Sequence, residues 1–167
     1  MGHPKKQRKK YERPFKPFDK DRIEKEKKLM SEYGLRRKHE IWRASSILRG
    51  FRSRARDLQA SKNEQRQAEL LARLNKLGIK CAKLEDVLEI KVEDILSRRL
   101  QTLIVKKKIV NTSKQSRQLI VHGHVRVQNR KVLWPGYIVP AELENTIEIN
   151  PKIRTKFIEE SKETQVE

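Results

Sequence analysis

Lys114 and Arg117 stand three residues apart, the first inside and the second just after Thr112-Ser-Lys-Gln115, which has the pattern of a helix capping box. The start of a helix offers free amide donors and the positive end of the helix dipole. Two cations in its first turns therefore make a site suited to phosphate. The surrounding text points the same way. From Ser97 to Ala141 there is no Asp or Glu, yet the stretch carries Arg98, Arg99, Lys106, Lys107, Lys108, Lys114, Arg117, Arg126, Arg130 and Lys131. Charge of one sign repels itself, so a segment of this kind is expected where a partner supplies the opposite charge. Two further basic sets accompany it: Arg49, Arg52 and Arg56 at helical spacing, and Lys5, Lys6, Arg8, Lys9 and Lys10 in the opening residues. The chemistry these residues offer is binding to a polyanion.

Other chemistries find little support. His122-Gly-His124 comes without a cysteine or carboxylate between residues 97 and 141, a poor ligand set, so no metal is expected. Cys81 stands alone, which excludes an internal disulfide; without a local His or acid to activate it, it reads as a small core residue. No Gly-rich phosphate loop and no acid–base constellation is present, so neither an enzyme, nor a cofactor, nor a small-molecule substrate is expected. Helix-turn-helix, zinc-finger and basic-zipper patterns are missing as well, which disfavours duplex DNA. Trp42 and Trp134, one on a helix face and one at a strand end, read as packing residues.

The totals set the frame. In 167 residues there are 41 Lys+Arg against 22 Asp+Glu, a net charge of +19, and the hydrophobic set is only 35%. Ordinary globular chains carry roughly 45–50% apolar residues, so thin cores under a large charged surface are expected, in one domain or two small ones. Residues 1–60 hold 20 Lys/Arg against 8 Asp/Glu, and residues 61–167 hold 21 against 14. No apolar run approaches the roughly 20 residues of a membrane span, and MGHPKKQRKK lacks a signal-peptide core. A soluble intracellular protein with no membrane partner is expected.

The elements that must position the basic residues follow from periodicity and caps. Residues 1–18 form a basic, proline-punctuated arm with Tyr11, Phe15 and Phe18, expected to be disordered alone and to fold against a partner. A helix is expected from the Asp19 cap to Gly34, and a stronger one over 38–59, where Ile41, Ala44, Leu48, Phe51, Ala55 and Leu58 share a face beside the arginine stripe. Ser61-Lys-Asn-Glu64 reads as the capping box of a third helix ending at Leu77-Gly78. A short helix over 83–90 and a longer one over 92–107 come next, then a helix over 113–121 closed by Gly123. Beyond it, 124–128 alternates as a strand, Asn129-Arg130 serves as the turn, and 131–134 returns. Further strands are expected at 137–139 and 146–149. The fold class is α+β: a basic arm (1–18), a helical unit (19–90), a module of two helices and a small antiparallel sheet (91–150) and a mobile charged tail (151–167).

Ser113-x-Gln115-x-Arg117-x-Leu119-Ile120-x-x-Gly123-x-Val125-x-Val127, within Arg99 to Val132, resembles the RNA-binding module named after the fourth small-subunit ribosomal protein. The opening MGHPKKQRKKYERP, Tyr33-Gly34-Leu35, Ile41-Trp42-Arg43, Leu48-Arg49-x-Phe51-Arg52 and Leu77-Gly78-Ile79 are similar to the archaeal type of the small ribosomal subunit protein four family, so the likeness covers residues 1–150. Two departures stand out: Arg130 follows Asn129 where the hairpin usually has Gly, and the cysteine cluster of some bacterial relatives is missing. The resemblance implies a structural constituent of the small ribosomal subunit, cytoplasmic on the ribosome. It implies a primary binder of small-subunit rRNA at the five-way junction of the 5′ domain, nucleating assembly. Partners implied are neighbouring ribosomal proteins, number five among them, and mRNA near its entrance, with an influence on decoding accuracy. The rRNA contacts expected are the arm and stripe cations above together with Arg99, Lys106, Lys107, Lys108, Ser113, Lys114, Arg117, Gln118, His122, His124, Arg126, Arg130 and Lys131. The module is also attached to pseudouridine synthases and tyrosyl-tRNA synthetases, but their catalytic signatures are missing here. The alternative is a ribosome-biogenesis factor of small nucleolar ribonucleoprotein type.

Overall fold

The computed structural model describes residues 9–61 and 63–151. Helix α1 (Lys20–Glu32) starts where Asp19 accepts a bond from the Arg22 amide, and Gly34 at φ 58° turns the chain out of it. Helix α2 (Lys38–Ser61) runs 24 residues and buries Ile41, Ala44, Leu48, Phe51 and Ala55, the predicted stripe. Helix α3 (Glu64–Lys76) begins one cap later than its sequence pattern suggested. Asn63, not Ser61, accepts from the Arg66 amide, because Ser61 is still inside α2 and bonds back to the Leu58 carbonyl.

Helices α4 (Leu84–Glu89) and α5 (Val92–Ser97) are short and each is started by a carboxylate. Asp86 accepts from the Ala82 and Lys83 amides, and Asp94 from Lys91. The 92–107 helix expected from sequence is in fact two, α5 and α6 (Leu100–Lys106). The break falls at Arg98-Arg99, where Arg99 is extended at φ −73° and ψ 144°. Its cause is distant: the Tyr137 carbonyl takes the Leu100 amide at 2.8 Å and the Val139 amide reaches the Arg98 carbonyl at 3.1 Å. A continuous helix would need those same backbone groups for its own ladder. The 137–139 strand accordingly reduces to a single bridge between Ile138 and Arg99.

Helix α7 (Ser113–Val121) carries the predicted Thr112 cap, whose hydroxyl accepts from the Gln115 amide at 3.3 Å. The Thr112 hydroxyl in turn lies 3.0 Å from Gln115 Oε1, so the glutamine closes on the cap side chain. A three-stranded antiparallel sheet follows, in the order β2 (Arg130–Lys131), β1 (Val125–Val127), β3 (Ile147–Ile149). The hairpin turn is Gln128-Asn129, one residue earlier than expected. Both have positive φ, 49° and 61°, as a two-residue type I′ turn demands, and Arg130 already pairs with Val127. Asn in the left-handed position answers for the absent Gly.

Two cores form on either side of the Arg98-Arg99 break. The first joins α2 and α3 to Val87, Ile90, Ile95 and Leu96; the second joins Leu100, Leu103 and Ile104 to Leu119, Ile120, Val125, Val127, Val139 and Ile147. Cys81 is buried in the first, and burial pushes its thiol pKa up. The described part of the arm does not stand free. Tyr11 packs on His39 and Trp42, with ring centroids 5.0 and 6.0 Å apart, the Glu12 amide donates to Ser46, and Glu12 pairs with Arg49. Residues 1–8 and 152–167, which include most of the predicted tail, lie outside the described residues.

Candidate nucleic-acid interface

The cations that α6, α7 and the hairpin turn outward are Lys106 and Lys108 at the end of α6, Lys114 in the first turn of α7, Arg126 on β1, and Arg130 and Lys131 on β2; all are exposed. Each is placed by something local. Lys108 adopts φ 52°, and its amide bonds the Val105 carbonyl while the Ile109 amide bonds Ile104, so α6 ends in a left-handed cap beside its own lysines. Cations suit that negative helix end, and Lys114 suits a phosphate at the positive end of α7. On β1, Val125 and Val127 are buried while Arg126 points out, the alternation that a half-buried strand requires. The Lys131 side chain lies over Gly123, whose φ of 75° closes α7; a Cβ there would collide with it. Gln118 on α7 and His122 at its C-cap are exposed, and Ser113 and His124 are half-buried. The two histidine rings stack at 6.1 Å, with no third potential ligand among the described residues.

Other predicted contacts face the protein. Arg99 is 5% exposed and pairs with Glu40 of α2, which also holds Arg117 through Oε1 at 2.9 Å and Oε2 at 3.4 Å. Burial alone would raise the Glu40 carboxyl, but hydrogen bonds from Arg117 and Arg99 together with their charges bring it below its ordinary value. Arg99 is therefore an interior ion-pair partner rather than a surface cation, and Arg117 is half-buried. Lys107 bonds the Glu144 carbonyl, and the carboxylate of the same residue takes Arg98 at 2.8 Å. In the arginine stripe, Arg52 donates to the Ile90 carbonyl at 2.6 Å, while Arg49 and Arg56 are exposed, Arg49 against Glu12. Lys9 and Lys10 are exposed; Lys5, Lys6 and Arg8 lie outside the described residues.

The two halves are held together by groups that sequence reasoning passed over. Gln101, 1% exposed, donates to the Gly34 carbonyl at 3.1 Å and the Ser113 carbonyl at 2.9 Å, and Ser116 donates to the Gln101 carbonyl at 2.8 Å. Gly34 is where the α1–α2 connection meets α7, and a Cβ there would overlap Ser113 Oγ. Glu40 had a sequence signal: it is the one acid between Glu32 and Asp57. Its partners, 59 and 77 residues away, had none.

A profile of the S4 domain matches residues 98–145, the segment that begins at the break before α6 and ends in the 3₁₀ turn Ala141–Thr146. Over a longer span the chain is 46% identical, across 154 residues, to the small ribosomal subunit protein uS4 of Saccharolobus islandicus strain M.14.25, covering 89% of this chain and 85% of that protein. It is also 46% identical, across 159 residues, to the uS4 protein of Picrophilus torridus, covering 90% and 86%. Likeness of that extent takes in the helical unit as well as the module, and it places this chain in the uS4 family of small ribosomal subunit proteins.

Proposed function

We propose that this chain is a structural, non-catalytic constituent of the small ribosomal subunit that binds rRNA mainly through phosphate contacts. The observation that carries this reading is the outward set Lys106, Lys108, Lys114, Arg126, Arg130 and Lys131, presented by two helix ends and a hairpin with no acid between residues 97 and 141. Folded RNA is recognised largely by shape and backbone, and cations fixed on rigid elements match that task better than a flexible basic tail. Arg49, Arg56, Lys9 and Lys10 extend the basic surface along α2 and the arm.

The finer reading rests on the family likeness: a primary binder at the 5′-domain junction that nucleates assembly, beside ribosomal protein five and the mRNA entrance, with an effect on decoding accuracy. The direct test is charge reversal of Lys106, Lys108 and Lys114 together. These exposed side chains are free of any described ion pair, so the circular dichroism spectrum is expected to stay unchanged while affinity for a small-subunit 5′-domain rRNA fragment falls by at least about a hundredfold at 100 mM salt. Unchanged affinity in the folded variant would remove this reading.

A further inference from the structure

Between the helical unit and the module lies a groove of about 670 Å³, bounded by Ile47 of α2 and by Trp134 and Ile138 of the segment after the hairpin, with Arg43, Glu40 and Arg99 around its floor and edge. Trp134 was expected to pack, yet it is 71% exposed. Arg99, by contrast, is buried, and its enclosed Nη1 has no hydrogen-bond acceptor among the described residues. An open indole, apolar walls and the Arg99 guanidinium line one concavity of the size that holds small ligands. Its rim carries the exposed Arg43 and it opens beside Arg117, so it continues the basic surface.

We infer that this groove receives one unstacked nucleotide of the bound rRNA, its base lying on Trp134 and turning a carbonyl oxygen toward the Arg99 guanidinium, whose Nη1 is opened to it by a small side-chain shift, while Arg43 meets the adjoining phosphate. Every base has a π-face that stacks on an aromatic ring, and each base except adenine carries a carbonyl acceptor for a guanidinium. The Glu40 carboxylate, already held by Arg99 and Arg117, adds an acceptor for an exocyclic amine, which favours guanine or cytosine. A single nucleotide fits the volume; a duplex does not. This assignment rests on the rRNA-binding reading above.

The test uses the full chain on small-subunit rRNA with three variants. Trp134→Ala removes the platform, Trp134→Phe keeps an aromatic face, and Gly136→Leu fills the groove. At Gly136 a Cβ meets nothing nearer than Arg99 Nη2 at 3.7 Å, so the last change is tolerated by the backbone. The Ala and Leu variants are expected to bind about 5- to 140-fold more weakly, the span that stacking of about 1–3 kcal/mol per base converts to at 1.4 kcal/mol per tenfold. The salt dependence is expected to be unchanged, because stacking releases no counterions. One unpaired nucleotide protected by the wild type is expected to become reactive to base-specific probes, and Phe is expected to restore most of the affinity. Wild-type affinity and footprint in both Ala and Leu variants would overturn the assignment, as would loss of a neighbouring ribosomal protein from reconstituted particles with rRNA affinity intact. In either case charge reversal at Lys106, Lys108 and Lys114 would still abolish binding, leaving the broader reading in place. If the wild type itself showed no salt-dependent rRNA binding, both would fall.

Discussion

Glu40 reaches two arginines of the module from the first turn of α2, and the consequences are specific to those side chains. Removing one partner of a buried ion pair strands the others in low dielectric, at about 3–5 kcal/mol; with Glu40 a fifth exposed, Glu40→Gln is expected to cost about 2–3 kcal/mol. Because the folded carboxyl lies below its ordinary value, the stabilisation is fully present above the unfolded pKa of about 4.3 and is lost as pH falls through the lower folded value. Thermal melts between pH 3 and pH 7 are therefore expected to show a steeper acid limb in the wild type than in Glu40→Gln, which keeps only the part due to other carboxylates such as Asp86; superimposable profiles would refute the clamp. The same contact bears on Arg117, which the sequence presents as a plain phosphate ligand. Arg117→Glu would set two carboxylates against each other and is expected to lower stability, so loss of RNA binding in that variant reports on folding as much as on contact.

Elements were legible where their causes are local. Asp19, Thr112 and the three-and-four spacing of the α2 stripe announce themselves within a few residues, and so α1, α2 and α7 begin as expected and α2 buries the expected face. The break between α5 and α6 was not legible, because the group that takes the Leu100 amide is the Tyr137 carbonyl, 37 residues on. The hairpin was displaced by one residue because Gln128 accepts a positive φ that propensity alone assigns to Asn or Gly. Two predictions belong at this scale. Thr112→Ala is expected to cost about 1 kcal/mol in chemical denaturation, the usual value of an N-cap, and to weaken rRNA binding only modestly. Gly34→Ala is expected to cost more, on the order of 2–3 kcal/mol, since it adds both the strain of a positive φ and an overlap with Ser113. Equal midpoints for wild type and Gly34→Ala would show that α7 is not seated against the α1–α2 connection.

At the scale of the molecule, the net charge of +19 divides into cations that face out and cations that hold the halves together. Composition showed that a polyanion was required, and the α7 motif with its resemblance pointed to rRNA. What sequence did not separate is which charges are engaged internally: Arg98, Arg99, Lys107 and Arg117 look no different in text from Lys106, Lys114 and Arg126. That distinction depends on Glu40 and Glu144, acids that lie outside the acid-free stretch and reach it only through the fold. Binding of rRNA through the outward cations is tested most directly by crosslinking in cells followed by sequencing of the attached RNA and mapping of the attached residues. Crosslinks to small-subunit rRNA in mature particles, from Lys106, Lys108, Lys114 and the Arg126–Lys131 hairpin, are expected. Crosslinks confined to precursor RNA, or issuing from α3 and α4 instead, would contradict rRNA binding by this surface.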